Sequence, residues 1–347
     1  MNGGHGTVSA SESLATWLRS RGAEAAVTDI MQVANPLGAL LAEVYNHLLR
    51  GDLRWASLYM EFAHRFPFDG FAPANALSRG RTLRFLGRER PDAVVLVCPW
   101  IIGPVLGALR RLPPPWPKVY TVVVDLGAGM APSWFNPGVD FTALPTAQAR
   151  RWLQGCGLDG HPSAVMGMPL SPAILERRET PACLEGLNGP IVTVLGGREG
   201  SRNALAIADR LLKARVEASI VIQCGQNRAL LRAASRRKGV WAVGFVESLI
   251  GLMRTSSVVI TKPGALTVSE LVALRKPFIL DLWPAVMPQE RGNVQFVREE
   301  GCGLISSRRD DISGMTESVL EGRHVFHHPN IYGTDRIGEL VLGGGLQ

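Results

Sequence analysis

The sequence is poor in the features that mark secreted, disulfide-bonded or membrane-spanning chains. Its five cysteines (Cys98, Cys156, Cys183, Cys224, Cys302) are odd in number and never in CxxC spacing. That argues against a disulfide or zinc framework and for reduced thiols in a cytosolic compartment. The first twenty residues contain Glu12 and no continuous apolar stretch, so a secretory signal is not expected. The longest uncharged run, Ala93 to Leu109, has 17 residues and is interrupted by Pro99 and Pro104. It is short for a membrane span and reads as a buried strand, a turn at "CPW" and a helix. Acidic residues are the scarcer charge: 37 Lys+Arg against 30 Asp+Glu leave a net charge of +7, which favours an anionic partner.

What is present describes a folded protein. A hydrophobic content of 46% against 19% charged residues implies well-formed cores, and 347 residues suffice for two domains. Short β-rich runs alternate with helical patterns throughout. "AEAAVTDI" (23–30), "DAVVLVC", "KVYTVVVDL" and "HPSAVMGMP" read as strands of a first half. "GPIVTVLGG", "ASIVIQCG", "GVWAVGF", "SSVVITKPG" and "PFILDLW" read as strands of a second. Many are continuous apolar runs, as expected of parallel strands buried on both faces, so the class is α/β. Residues 168–189, rich in proline and polar residues, read as a linker between a domain at 1–167 and a domain at 190–347. The extreme C-terminus is a candidate to return to the first domain.

The second half opens with a strand, a turn Gly196-Gly197-Arg198-Glu199-Gly200-Ser201, and a helix. Such a turn offers backbone N–H groups to a phosphate, although a tight strand-to-helix turn without a ligand is equally common. The chain begins on the same unit, "NGGHGTVSASESLATWL", without its strand. An unfilled slot in the first sheet is therefore expected, with about eight to ten residues of strand encoded upstream. Residues 259–304 carry the most chemistry. After Lys262-Pro263-Gly264 a helix begins that presents Thr267, Ser269 and Glu270; a carboxylate there can accept both hydroxyls of a ribose. The loop beyond "DLWP" holds Gln289, Glu290 and Asn293, which suit the hydroxyls of a sugar. The alternative is that these are two ordinary turns in which Ser269 and Asn293 satisfy backbone groups.

"GALTVSE", "GFVESLIGLMRTSSVVITKPG" and "PQERGNVQFVREEGCGL" resemble the donor half of glycosyltransferase family 28. That family joins monogalactosyldiacylglycerol synthases, processive diacylglycerol glucosyltransferases and the peptidoglycan N-acetylglucosaminyltransferase. "NGGHG", "VVVDLGAGMAPSW" and "VMGMPLSP" are similar to its N-terminal motifs. The resemblance implies a GT-B fold, two Rossmann-like doubly wound domains facing a cleft, and inverting transfer from a UDP-sugar. By it Gly3, Gly4 and His5 lie under the acceptor and the departing diphosphate, and Gly197, Gly200 and Ser201 approach the donor phosphates. Phe245 and Val246 meet the uracil through their backbone, Glu270 holds the ribose, Gln289 and Glu290 contact the donor sugar, and Gly264, Thr267 and Asn293 are counted with the donor-binding residues. His5 is the first candidate for the base that takes the acceptor proton, and Asp125 the second. No cofactor or metal is expected, since helix N-termini can stabilise the leaving diphosphate and no D-x-D pattern occurs.

The chain departs from the family pattern at Gly6, at "GMAPSW" and in the mixed "KPGALTVSE", which leaves the acceptor open. Residues 35–73 interleave Trp55, Tyr59, Phe62, Phe66, Phe68 and Phe71 with Arg50, Arg54 and Arg65. They suit an anionic membrane surface or, equally, a helical core. The leading expectation is a peripheral enzyme on the inner face of the cell membrane that makes a glycolipid from diacylglycerol. N-acetylglucosamine transfer to a polyprenyl-linked acceptor and sugar-nucleotide binding without transfer are the alternatives. A nucleic-acid partner is not expected.

Overall fold

A computed structural model describes residues 6–30, 44, 47–50, 53–65, 72–176, 180–307 and 312–343. The chain packs as two compact units. The first comprises residues 1–44, 59–172 and 331–347, and the second comprises 45–58 and 173–330.

The first unit begins with α1 (Gly6–Ser20), which buries Ala10, Leu14, Ala15, Trp17 and Leu18 at helical spacing. Helices α2 (Leu53–Arg65) and α3 (Ala72–Glu89) follow; the boundary between the units falls inside α2. Strand β1 (Ala93–Leu96) leads through a short turn to α4 (Ile102–Leu109), as the apolar run predicts. Strand β2 (Lys118–Val122), strand β3 (Phe141–Leu144), helix α5 (Ala147–Gly155) and strand β4 (Ser163–Val165) complete a parallel sheet of order β1-β2-β3-β4.

The expected strand over 23–30 is not formed. Exposure alternates residue by residue from Ala23 to Asp29, the period of a strand, yet the segment has no ladder. A strand exists only through paired backbone, and no partner for it lies among the described residues. There β1 pairs with β2 alone.

The second unit contains β5 (Ile191–Leu195), α6 (Asn203–Lys213), β6 (Ser219–Gln223), α7 (Arg228–Ser235), β7 (Val240–Val243), α8 (Ile250–Thr255) and β8 (Val258–Thr261). It continues with α9 (Ala265–Ala273), β9 (Phe278–Asp281), α10 (Arg291–Glu300), β10 (Leu304–Ser306) and α11 (Ile312–Leu320). The sheet is parallel, in the order β10-β9-β8-β5-β6-β7. Every residue of β5, β8 and β9 is buried, the physical content of their unbroken apolar runs. One face, with Val192, Val194, Ile220, Ile222, Val258 and Ile260, packs against Ala204, Ile207, Ala208 and Leu211 of α6. Sequence order jumps between β8 and β5, so the ends of these strands meet where loops from both sides converge.

Helix α12 (Thr334–Val341) belongs to the first unit. It is anchored by a Thr334 Oγ1 bond to Leu170 O (2.5 Å), and the preceding chain bonds backbone to backbone with Met168. A Cβ on Gly338 would lie within the Trp17 ring, so α12 and α1 touch where only glycine fits. Gly338→Ala is expected to cost about 1–3 kcal/mol by overpacking; a calorimetric scan with an unchanged first transition would contradict this packing.

Candidate donor site

The carboxyl ends of β5 and β6 carry two interlocked turns. Gly196 N–H donates to Gln223 O (2.9 Å), Gln226 N–H to Arg198 O (2.8 Å), and Asn227 Nδ2 to Gly200 O (2.7 Å). Gly200 (φ +72°) has its Cα against the Cys224 carbonyl, and Gly225 (φ +53°) presses on the carbonyls of Gly197 and Arg198; a Cβ at either position would clash with backbone. Gly197 also requires a left-handed conformation (φ +75°), but a Cβ there would meet nothing within 4 Å. The two glycines therefore serve different ends: Gly200 lets two backbones meet, and Gly197 shapes an open turn.

The N–H groups of Gly197, Arg198 and Glu199 have no acceptor among the described residues. Three successive free donors around a left-handed glycine are the makings of an anion site. The first turn of α6 is internally supplied: Ala204 N–H reaches Ser201 O and Leu205 N–H reaches Arg202 O. The Ser201 hydroxyl accepts from Asn203 N–H at 3.4 Å and keeps its own proton to donate. The free donors thus lie in the turn more than in the helix end. Asn203 Nδ2 binds Asp281 Oδ2 (2.6 Å) and Trp283 O (2.9 Å), tying this turn to the end of β9. Burial raises the Asp281 carboxyl above its ordinary range, against the bonds from Asn203 and the Trp283 N–H.

The turn after β8 and the loop after β9 form the second half of the site. Lys262 Nζ lies 3.0 Å from Glu290 Oε1, and Glu290 is buried. Gly264 starts α9 without a side-chain cap, and a Cβ on it would stand 3.9 Å from the same Glu290 oxygen. Asn293 Nδ2 donates to Pro263 O (2.8 Å) and Ser269 Oγ to Ala265 O (2.7 Å), so both side chains satisfy backbone groups here. Thr267 is half-buried in the first turns of α9. Gln289 Oε1 is shielded from solvent and has no hydrogen-bond partner among the described residues. Glu270, on α9, has no side-chain partner among the described residues, and burial pushes its carboxyl up to about 8.

Phe245 and Val246 follow β7. Phe245 is 48% exposed, and the Arg198 guanidinium stands 5.1 Å from its ring centroid. In the first unit, Asp125 follows β2 and accepts from Trp134 Nε1 (3.2 Å), which links "VVVD" to "PSW". Gly3, Gly4 and His5 lie outside the described residues, as do Phe66, Phe68 and Phe71.

Sequence reasoning passed over Gly225, Asn227, Asn203 and Asp281. "CGQN" is itself a glycine turn at a strand end, and could have been read as one. Nothing local marks the ion pair between Glu199 and Arg50 (2.7 Å), whose residues are 149 apart in the chain.

Residues 191–327 match the glycosyltransferase family 28 C-terminal domain. The chain is 27% identical over 294 residues to monogalactosyldiacylglycerol synthase 1, chloroplastic, of Arabidopsis thaliana, covering 79% of this chain and 54% of that protein. It thus spans about half the length of that plant relative. A processive diacylglycerol beta-glucosyltransferase of Bacillus pumilus is 25% identical over 343 residues, covering 92% and 85%. Among solved structures, Acinetobacter baumannii MurG superposes with a TM-score of 0.51 at 17% identity, over 78% of this chain and 80% of that one. The S. aureus MnaA–UDP co-structure reaches 0.58 at 15% identity, over 80% and 83%. At these identities the structural likeness speaks to fold alone. Residues 191–327 are a glycosyltransferase family 28 C-terminal domain, in a chain of GT-B fold distantly homologous to monogalactosyldiacylglycerol synthases and processive diacylglycerol glucosyltransferases.

Proposed function

We propose that the protein transfers a hexose, galactose or glucose, from a UDP-sugar to diacylglycerol with inversion, on an anionic membrane surface. The single observation that carries the donor reading is Glu270, a half-buried carboxyl on α9 with no partner among the described residues, which its surroundings push up to about 8. A vicinal diol supplies two O–H donors, which is what such a carboxylate lacks. In this reading the diphosphate sits at the free N–H groups of Gly197, Arg198 and Glu199, with Ser201 beside it and Gly200 holding the turn. Uracil lies along the Phe245 and Val246 backbone. Gly264 and Thr267 border the donor, Gln289 Oε1 accepts from a sugar hydroxyl, and Glu290, steadied by Lys262, faces the same sugar. Asn293 contributes by fixing the Pro263 turn.

The acceptor hydroxyl oxygen attacks the anomeric carbon from the face opposite the diphosphate. The carbon–oxygen bond to UDP breaks, UDP leaves with the bonding pair, and the hydroxyl proton passes to His5 or Asp125. The turn N–H groups then meet a growing negative charge, where hydrogen bonds count most. No metal or cofactor enters the scheme.

The names of the relatives support a diacylglycerol acceptor. Among the described residues no helix is long and apolar enough to cross a membrane. On α2, Ala56 and Met60 are buried while Trp55 (63%) and Leu58 (60%) are exposed three residues apart. An aromatic and an aliphatic side chain on one exposed helical side, in a basic protein, suit a lipid headgroup layer. Binding to anionic vesicles is expected to fall with added salt, and salt-insensitive binding would count against it. The activity is tested by UDP release with UDP-galactose and UDP-glucose, with and without diacylglycerol. Release that needs a polyprenyl lipid, or UDP binding without turnover on any acceptor, would overturn the assignment.

A further inference from the structure

Glu199 is an odd residue to find in a turn that offers N–H groups to an anion. Its side chain is only 10% exposed, and its own N–H is one of the three free donors. A carboxylate so placed would repel a diphosphate, because like charges within a few ångströms oppose one another and burial weakens solvent screening.

The second unit supplies a counter-charge. Arg50 comes from the helical stretch 47–50, and its Nε and Nη2 both lie 2.7 Å from Glu199 Oε2. The same segment is fixed further along, where Ser57 Oγ donates to Val286 O (3.2 Å) in the loop that leads to Gln289. We propose that Arg50 is a positioning residue for the donor: it neutralises and holds the Glu199 carboxylate so that the Gly197–Gly200 turn accepts a nucleoside diphosphate. The inference rests on the donor reading of the turn given above. Arg50 acts through Glu199, so its importance disappears when residue 199 carries no charge. Its effect also grows with the number of phosphates on the ligand.

The experiment is calorimetric titration of UDP, UMP and uridine into wild type, Arg50→Ala, Arg50→Lys, Glu199→Gln and the Arg50→Ala/Glu199→Gln double variant. Circular dichroism reports the fold of each. Arg50→Ala should weaken UDP about tenfold or more while changing uridine less than about twofold, with UMP between them. Arg50→Lys should stay within about threefold of wild type for UDP, and the double variant within about threefold of Glu199→Gln. A double variant as weak as Arg50→Ala would overturn the inference, since Arg50 would then act on the phosphates directly. Equal losses for UDP and uridine, or no loss, would overturn it as well. Wild type that binds none of the three ligands would sink the donor reading and the inference together. Wild type that binds UDP with a flat mutant cycle sinks the inference alone.

Discussion

At pH 9, Glu270→Gln is expected to weaken UDP binding by about 1.5–3 kcal/mol, the worth of hydrogen bonds to a charged group, while making the protein more stable at that pH. Both effects have one cause. Burial pushes the Glu270 carboxyl from its ordinary value to about 8, so between those values the folded state holds a proton that the unfolded chain has released. Stability therefore falls as pH rises through this window, by up to about 1.4 kcal/mol per pH unit, and is level above the folded value. A neutral isostere removes that slope, so the variant should melt above wild type at pH 9 and close to it at pH 5.

The binding arm has the opposite sign. Only the carboxylate can accept both ribose hydroxyls, and with a value of about 8 roughly one molecule in ten carries it at pH 7. Between pH 7 and pH 9 UDP affinity should rise about tenfold in wild type and stay flat in Glu270→Gln. Parallel pH profiles for the two proteins would remove Glu270 from the donor site. A stability difference that does not change with pH would mean the carboxyl is not desolvated.

The second large effect separates the two left-handed glycines of the β5–α6 turn. Gly200→Ala should destabilise the second unit by about 2–5 kcal/mol, the sum of overpacking against the Cys224 carbonyl and an alanine held at positive φ. Gly197→Ala meets open space and carries only the conformational strain, about 1–2 kcal/mol. It should fold, yet bind UDP about tenfold more weakly as the strained turn relaxes and re-aims the N–H groups of Arg198 and Glu199. Thermal unfolding with UDP titration reads both. The reverse ranking of stabilities would falsify the packing described for this turn.

The order of strands and helices in the second unit was legible because it is written in local patterns. Ile191–Leu195, Val258–Thr261 and Phe278–Asp281 are continuous apolar runs ending in glycine or proline turns. Strands β3 (FTAL) and β10 (LIS) lie outside the runs read as strands because neither contains an unbroken run of three apolar residues. The 23–30 segment shows the converse: its period of two survives in the exposure pattern, but pattern alone does not make a ladder.

By itself, then, the sequence determined the α/β class, the glycine turns at strand ends, the family resemblance and the residue types gathered around residues 262–293. Each of these depends on spacing along the chain, which is all that a linear pattern contains. Tertiary structure decided which glycine faces open space and which meets a carbonyl, and that Asn293 and Ser269 bind backbone groups. It also decided that Glu270 stands half-buried and unpartnered among the described residues while Glu199 is held by a residue 149 positions away. Burial and electrostatic pairing are sums over neighbours brought together by folding, so no local stretch of sequence carries them.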